Sequence, residues 1–135
     1  KITEIVLACY TSGSCLYDAP AFLAEMQSIC STLNISGVRI LYWGSSVVGD
    51  EFYGEDTMDN FTELTKPVGG GGTDASCVTD YMQEHQINPE GVIVFTDGDV
   101  WDWGTWNVPV LWCVKDNPEA KPPVGKTVHL TADQL

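Results

Sequence analysis

Short apolar runs separated by polar turns dominate the hydrophobic pattern of this chain. Four of these runs have no polar interruption, or almost none: Ile5 to Cys9, Val38 to Trp43, Val92 to Phe95 and Val108 to Val114. Such runs are typical of strands that are buried on both faces of a parallel sheet. Val128 and Leu130 alternate with polar residues, which predicts a last strand at an edge.

Segments with helical periodicity lie between these runs. The most regular one follows Asp18, which we expect to cap a helix that has Pro20 in its first turn. Its apolar positions recur at helical spacing: Phe22, Leu23, Met26, Ile29, Cys30 and Leu33. A second helix is predicted after the glycine run at positions 69–72, with Thr73 or Asp74 as its cap.

The alternation of strands and helices predicts the fold class. The first third of the chain is a strand, a helix and a strand, so its strands should be parallel. Positions 45–53 suggest a short edge strand, and Asp59 to Leu64 suggests one helical turn. We therefore expect an α/β domain of Rossmann-like type. Its doubly wound, mostly parallel open sheet should carry helices on both faces and one short antiparallel edge strand.

The length indicates one domain. A chain of 135 residues can form a single hydrophobic core, so we treat positions 1–135 as one unit. Because the chain begins with Lys1, we expect it to be a piece of a longer polypeptide. No apolar run reaches the roughly 18 residues that a membrane span needs, which argues against a membrane protein.

The charge of the chain is strongly negative. Six Lys and Arg residues stand against nineteen Asp and Glu residues, which gives a formal net charge of -13. This excess would repel a phosphate backbone, so nucleic-acid binding is excluded. It favours a cation instead, either a divalent metal ion or a protein partner rich in Lys and Arg.

The cysteines indicate the compartment. Five are present without any C-x-x-C pair, and most of them lie in apolar runs. This pattern is typical of buried free thiols in a reducing environment, so we expect a cytoplasmic protein.

Polar turns are predicted to converge at one end of the sheet. One turn covers positions 10–14, a second covers positions 96–99, and a third, at positions 72–74, opens the second helix. In open α/β sheets, ligands bind at the carboxyl ends of the strands. Hydroxyl and carboxylate oxygens are hard ligands, which suit Mg²⁺, Mn²⁺ or Ca²⁺.

These turns resemble a known site. Thr11-Ser12-Gly13-Ser14, Gly-Gly-Thr at positions 71–73 and Thr96-Asp97-Gly98 are similar to the metal-ion-dependent adhesion site of von Willebrand factor type A (VWA) domains. Pro109 to Trp112 and a late Pro-Pro-Val-Gly segment resemble a narrower group. This group is the VWA-like domain at the carboxyl end of bacterial and phage metallopeptidase-related proteins. The resemblance covers almost the whole chain.

The resemblance implies a set of metal ligands. Ser12, Ser14 and Thr73 would supply hydroxyls and Asp97 a carboxylate to Mg²⁺ or Mn²⁺. Tyr10 stands where the family's motif begins with Asp, so the site is degenerate and lacks one of its main charges at neutral pH. The resemblance also implies a non-catalytic domain that binds a partner protein, such as an AAA ATPase.

Several residues around these turns are predicted to contact that partner: Tyr10, Asp74, Asp99, Trp101 and Trp103. Large aromatics beside acids can hold a Lys or Arg side chain by cation–π attraction and charge, or can stack on a sugar ring; we favour a protein partner over a carbohydrate. The alternative is that Trp101, Trp103 and Trp106 simply pack at the rim of the domain.

A function from another class remains open, namely a divalent-metal-dependent hydrolase of phosphoesters or peptides that uses Asp97 and Asp99. Other enzyme classes fit less well. The chain has no His-Glu-x-x-His helix, and His85 and His129 are predicted to pack on a helix and to face solvent, respectively. The sequence therefore favours a domain that is not an enzyme.

Two further groups of residues are assigned structural roles. Trp43 and Trp112 are predicted to lie in the core. An acidic stretch is predicted to be solvated and consists of Asp50, Glu51, Glu55, Asp56 and Asp59.

Overall fold

One sheet organises the protein, whose computed structural model describes residues 3–131 and 133. Its strands are β1 (Glu4–Tyr10), β2 (Gly37–Trp43), β3 (Val47–Tyr53), β4 (Gly91–Thr96), β5 (Val110–Lys115) and β6 (Lys126–Leu130). They lie in the order β3-β2-β1-β4-β5-β6. All neighbours pair in parallel except β2 and β3, which are antiparallel. The predicted fold, a mostly parallel open sheet with one antiparallel edge strand, is confirmed.

Three α-helices connect these strands in the described part of the chain. They are α1 (Ser14–Thr32), α2 (Phe61–Leu64) and α3 (Ser76–Glu84), and a single 3-10 turn spans Glu55–Thr57. The short helix α2 confirms the helical turn that the sequence predicted at positions 59–64.

Side-chain contacts on β3 show that the helices lie on both faces of the sheet. The Tyr53 ring stacks on Phe61 of α2, with centroids 5.6 Å apart, and α2 packs beside α1. Asp50 is an odd number of positions from Tyr53, so its side chain points to the other face. There it accepts a hydrogen bond of 2.6 Å from the Tyr81 hydroxyl of α3. The two faces are therefore covered by α1 with α2, and by α3.

The core lies along the central strands. From Ile5 to Tyr10, every residue of β1 is buried, because the strand has neighbours on both sides and helices on both faces. Trp43 and Trp112 are fully buried, which confirms their predicted place in the core. All five cysteines are free thiols; four are buried and Cys77 is half-buried, so burial is confirmed for most of them.

The start of α1 differs from the prediction. The helix begins at Ser14, after Gly13, which has a φ of 57° and provides no side-chain cap. Asp18 and Pro20 consequently lie inside the helix, so the predicted cap at Asp18 is wrong. Proline has no N–H, so the helical hydrogen bond to the carbonyl of Leu16 is missing.

The outer face of α1 also departs from the prediction. Phe22, Leu23 and the other members of its apolar stripe are buried, but Ile29 and Leu33 are not. Their side chains are 43% and 55% exposed. The apolar stripe that contacts the sheet is therefore narrower than the periodicity indicated.

Two acids and one histidine occupy positions that the sequence did not predict. Asp50 is paired with Arg39 Nη1 at 2.8 Å, and Glu51 accepts a hydrogen bond of 2.9 Å from the Tyr42 hydroxyl. Asp50 and Glu51 are thus cross-strand partners and not simply solvated. His85 is exposed at the end of α3, where its ring stacks against Tyr81, so its predicted apolar packing is wrong. His129 is exposed, as expected.

Among the helices that the structure describes, none has both the length and the hydrophobicity needed to span a membrane.

Candidate functional site

The loop after β1 is tied to two other segments by Thr11. This residue is fully buried, and its N–H donates to the Trp43 carbonyl at the end of β2 at 3.0 Å. Its hydroxyl donates to the Val68 carbonyl at 2.6 Å, and its own carbonyl accepts the Gly70 N–H at 2.9 Å. The glycine loop is therefore bound directly to the carboxyl end of β1.

The glycine loop packs closely on the residues that follow β2. The Asp74 N–H donates to the Gly44 carbonyl at 3.0 Å, and the Ser45 N–H donates to the Gly71 carbonyl. A Cβ atom on Gly44 would overlap the Gly71 carbonyl, so this approach is open only to glycine. Gly72 has a φ of 86°, which also favours glycine. The glycines thus serve the contact between two backbones.

The loop after β4 stabilises its own bend. The Gly98 N–H donates to Thr96 Oγ1 at 3.1 Å, and the Asp99 N–H donates to Asp97 Oδ1 at 3.0 Å. The Asn117 side-chain amide donates to the Asp97 carbonyl oxygen at 3.0 Å, which ties this loop to the segment after β5. Asp97 is half-buried and Asp99 is exposed, so both carboxylates lie near the surface of this edge.

A backbone contact joins the glycine loop to the loop after β4. The Trp101 N–H donates to the Thr73 carbonyl at 2.9 Å, and Asp74 forms an isolated parallel bridge with Asp102. The Asp74 carboxylate accepts the Ser76 N–H at 3.2 Å at the start of α3. Asp74 thus satisfies a first-turn amide, although the residue that precedes α3 is Ala75.

Tyr10 lies at the centre of this edge. Its ring is only 4% exposed and packs on Trp43, with ring centroids 4.9 Å apart. Burial raises the pKa of the Tyr10 phenol, a hydrogen bond with the Ser12 side chain opposes this, and the nearby charges of Asp97 and Asp99 raise it further. These interactions bring Tyr10, Ser12 and Asp97 into one neighbourhood, and the phenol there is neutral at physiological pH.

A buried lysine at the same edge was missed by the sequence analysis. Lys115, the last residue of β5, is 5% exposed, and its Nζ lies 2.7 Å from Asp18 Oδ2 in α1. The hydrogen bond with Asp18 raises the pKa of Lys115, and burial acts against it. The signal in the sequence is a lysine directly after the apolar run from Val108 to Val114.

The pKa of the Cys15 thiol is affected by two charged groups at this edge of the sheet. Its thiol is fully buried, and burial raises its pKa to about 12. The Asp97 carboxylate raises this pKa further and the Lys115 ammonium lowers it, so both charges act on the same thiol. The Asp97 carboxylate and the Lys115 ammonium therefore both lie near the first turn of α1.

The remaining predicted site residues differ in accessibility. Ser14 is exposed at the start of α1, and Thr73 is half-buried in the glycine loop. Trp101 is 91% exposed. Trp103 packs edge-on against the buried Trp112, with centroids 5.0 Å apart. Of the two tryptophans predicted to contact a partner, Trp101 presents its ring to solvent and Trp103 packs on the core.

The chemistry of these donors is a poor fit for a firmly held divalent cation. Ser12, Ser14 and Thr73 are neutral, so Asp97 supplies the only charge of the implied ligand set. The position of the missing carboxylate is filled by the buried, neutral ring of Tyr10. Within the described residues, no three His, Cys, Asp or Glu side chains are grouped so that they could hold a metal ion.

Comparisons with known proteins support the fold. An aerotolerance-related membrane protein from Bacteroides fragilis, in a variant with several substitutions to serine, superposes with a TM-score of 0.60 at 14% identity. The match covers 83% of this chain and 67% of that one. The Ro (RSR) protein of Deinococcus radiodurans gives a TM-score of 0.54 at 13% identity. That match covers 96% of this chain, which spans 31% of the Ro protein.

The family follows from the sequence itself. No curated protein matches the chain significantly. A family model described as VWA-like domain (DUF2201) matches residues 5–131, almost the entire length. With the sheet order and the three joined loops, this match shows that the chain belongs to the family of VWA-like domains.

Proposed function

We propose that this domain is a non-catalytic module that binds a partner protein through the loops at the carboxyl edge of its sheet. We further propose that its metal-ion-dependent adhesion site is degenerate. The observation that carries the proposal is the buried ring of Tyr10, which fills the place of a metal-binding carboxylate and contacts Trp43. A site built in this way keeps the loop framework of the family and loses much of its affinity for metal.

The segment that carries Asp99, Trp101 and Asp102 suits a basic partner. Trp101 is almost fully exposed, and the carboxylates of Asp99 and Asp102 are exposed near it in the chain. An exposed indole beside acids can hold a Lys or Arg side chain by cation–π attraction and charge. The net charge of -13 would also speed the approach of a positively charged protein. Tyr10 is buried nearby, since the charge of Asp99 contributes to the raised pKa of its phenol.

The nature of the partner rests on the family resemblance. An AAA ATPase is the partner class that the resemblance implies, and we propose it for this chain. We propose a cytoplasmic location on the ground that free thiols persist in reducing compartments. Mg²⁺ or Mn²⁺ binding at Ser12, Ser14, Thr73 and Asp97 is proposed to be weak.

The hydrolase alternative makes different demands on the same loops. Asp97 and Asp99 would both have to bind the ion, but Asp97 Oδ1 already accepts the Asp99 N–H at 3.0 Å. This bond fixes the bend and leaves the second carboxylate oxygen of Asp97 available, so it is compatible with either function. In our proposal, Asp97 stabilises the loop and presents that oxygen to a partner.

The proposal is tested by affinity capture with matched variants. Partners that bind the wild type should be lost with Trp101→Ala and with Asp97→Asn, and should be retained in EDTA. Leu33→Ala is the control, because Leu33 is exposed at the opposite end of α1. Capture that is unaffected by both variants would contradict the proposed surface. Metal-dependent turnover of phosphoester or peptide substrates, abolished by Asp97→Asn, would instead establish the hydrolase.

A further inference from the structure

A second concave region lies beside the proposed partner surface. It is bounded by α3 on one side and by the segment from Asp102 to Asn107 on the other, and it encloses about 610 Å³. This volume falls in the range of about 300–1,000 Å³ that is common for ligand sites. None of the residues assigned above to the metal site lines it, and Asp102 is the one residue of the proposed partner surface that does.

Part of the cleft is apolar and held in a fixed arrangement. Met82, Ile87 and Trp106 contribute apolar surface. The Trp106 indole Nε1 donates to the Trp103 carbonyl at 2.6 Å, and its ring stands edge-on to Trp112 at 5.5 Å. Because both the polar and the apolar part of this indole have partners in the protein, the aromatic wall is already formed in the free domain.

The charged groups of the cleft are all acidic. Asp80 and Asp102 line it, and no Lys, Arg or His is found among the described residues of its wall. Asp102 Oδ1 accepts the Gly104 N–H at 2.9 Å, which orients the carboxylate and leaves its second oxygen available. Both aspartates are exposed, so a ligand can reach them from solvent.

We propose that this cleft binds the side chain of an arginine residue in a peptide or protein. Arginine combines an apolar stem with a planar cation, and the cleft combines Met82, Ile87 and the Trp106 indole with two carboxylates. The guanidinium can stack on an aromatic face and pair with carboxylate oxygens in a fork geometry, which an ammonium cannot do. The proposal does not depend on the role of Tyr10.

The test compares a short capped peptide that contains one arginine with the same peptide carrying citrulline. Citrulline keeps the shape of the side chain and removes its charge. Binding is followed at low salt by the NMR signal of the Trp106 indole N–H and by calorimetry. The arginine peptide should shift the Trp106 signal, and its Kd should be at least about tenfold lower than that of the citrulline peptide, as expected for a charge-assisted contact.

Asp80→Asn and Asp102→Asn are the informative variants, because they remove charge with little change in shape. Each should raise the Kd of the arginine peptide several-fold. Asp56→Asn is the matched control, since Asp56 is an exposed acid in the 3-10 turn outside the cleft. Trp101→Ala should leave the affinity unchanged, because Trp101 belongs to the proposed partner surface and does not line the cleft.

Several results would overturn the proposal. They are equal affinities for the arginine and citrulline peptides, equal effects of Asp56→Asn and Asp80→Asn, and the absence of any shift of the Trp106 signal. Binding of a neutral oligosaccharide in place of the arginine peptide would show that the cleft recognises a different chemistry.

Discussion

The ring of Tyr10 packs against the indole of Trp43 with 4.9 Å between their centroids, and the two residues are direct partners in the β1–β2 register. This contact gives the tyrosine a structural role at a position where the family motif has an acid. The phenol is buried at the end of β1, and the nearby Ser12 side chain lowers its pKa in opposition to burial. In our proposal, this packing holds the loops together without a metal ion.

We predict that Tyr10→Asp destabilises the protein in the absence of metal and increases its affinity for a divalent metal ion. The loss of a buried aromatic ring should destabilise the protein by about 3 kcal/mol or more in EDTA. The new carboxylate beside Ser12 and Asp97 should make the stability depend on Mg²⁺ or Mn²⁺, because a ligand that binds only the native state raises the Tm. Thermal melts with each metal and with EDTA measure both effects.

Tyr10→Asn is the matched control for that experiment, since it removes the same ring and adds no charge. Its Tm should fall in EDTA and rise little with metal. An equal metal response in the Asp and Asn variants would mean that the first motif position does not lie in the coordination sphere.

We predict that Asp18→Asn destabilises the protein by about 3 kcal/mol, because it leaves the buried Lys115 ammonium without its closest partner at 2.7 Å. Asp116→Asn should cost less, since the Asp116 carboxylate is 3.5 Å from Lys115 and more exposed. Urea denaturation of both variants gives the comparison. Equal losses of unfolding free energy would show that the Asp18–Lys115 ion pair stabilises the protein no more than the Asp116–Lys115 contact does.

The same ion pair predicts a pH dependence at alkaline pH. The pKa of Lys115 is raised in the folded state, so its contribution to stability is fully present below the unfolded pKa of about 10.4. The contribution is lost as the pH rises through the folded pKa. Above about pH 10.4, the free energy of unfolding of the wild type should therefore fall relative to that of Lys115→Met. A difference that is constant across this range would contradict the raised pKa.

Two glycines of the site provide a test of the close backbone contact. Gly44→Ala should destabilise the protein by about 2 kcal/mol or more, because the new Cβ overlaps the Gly71 carbonyl and the backbone has to move. Gly71→Ala is the control, since a Cβ there meets no atom within 4 Å. Its effect should stay within about 1 kcal/mol in either direction. Similar losses for both variants would argue against the contact.

Thiol reactivity should report unfolding. Burial raises the pKa of Cys15 to about 12 and those of Cys30 and Cys113 to about 11. These thiols are therefore protonated at pH 8, and we expect them to react with iodoacetamide only when the protein opens. Mass spectrometry across a urea series should show their labelling together with the unfolding transition. Rapid labelling of Cys15 in the native protein would contradict its burial.

The strands could be predicted from the sequence because their signal is local. A short, unbroken apolar run such as that of β1 is typical of a strand in the interior of a sheet, and the polar turn that ends it is visible in the sequence. The start of α1 could not be predicted, because Gly13 offers no side-chain cap. Asp18 looked like a cap, but it is held by Lys115, a residue far along the chain.

In the candidate site, too, the features that depend on local sequence could be predicted and those that depend on distant contacts could not. The sequence order of the strands was enough to predict that the loops after β1 and β4 lie at one edge, since parallel strands end on the same side. Lys115 was missed because its ion pair with Asp18 joins β5 to α1, two elements that are far apart in the sequence. The difference in exposure between Trp101 and Trp103 could not be predicted either, because it depends on the contact of Trp103 with Trp112.

Pro20 and Asp18 lie in the same turn of α1. Pro20 removes the hydrogen bond that would end at the Leu16 carbonyl, so this part of the helix has one backbone contact fewer. Asp18 is paired with Lys115 of β5, and Cys15 is buried in the core. The start of α1, which carries Ser14, is therefore anchored by side-chain contacts outside the helix as well as by the hydrogen bonds within it.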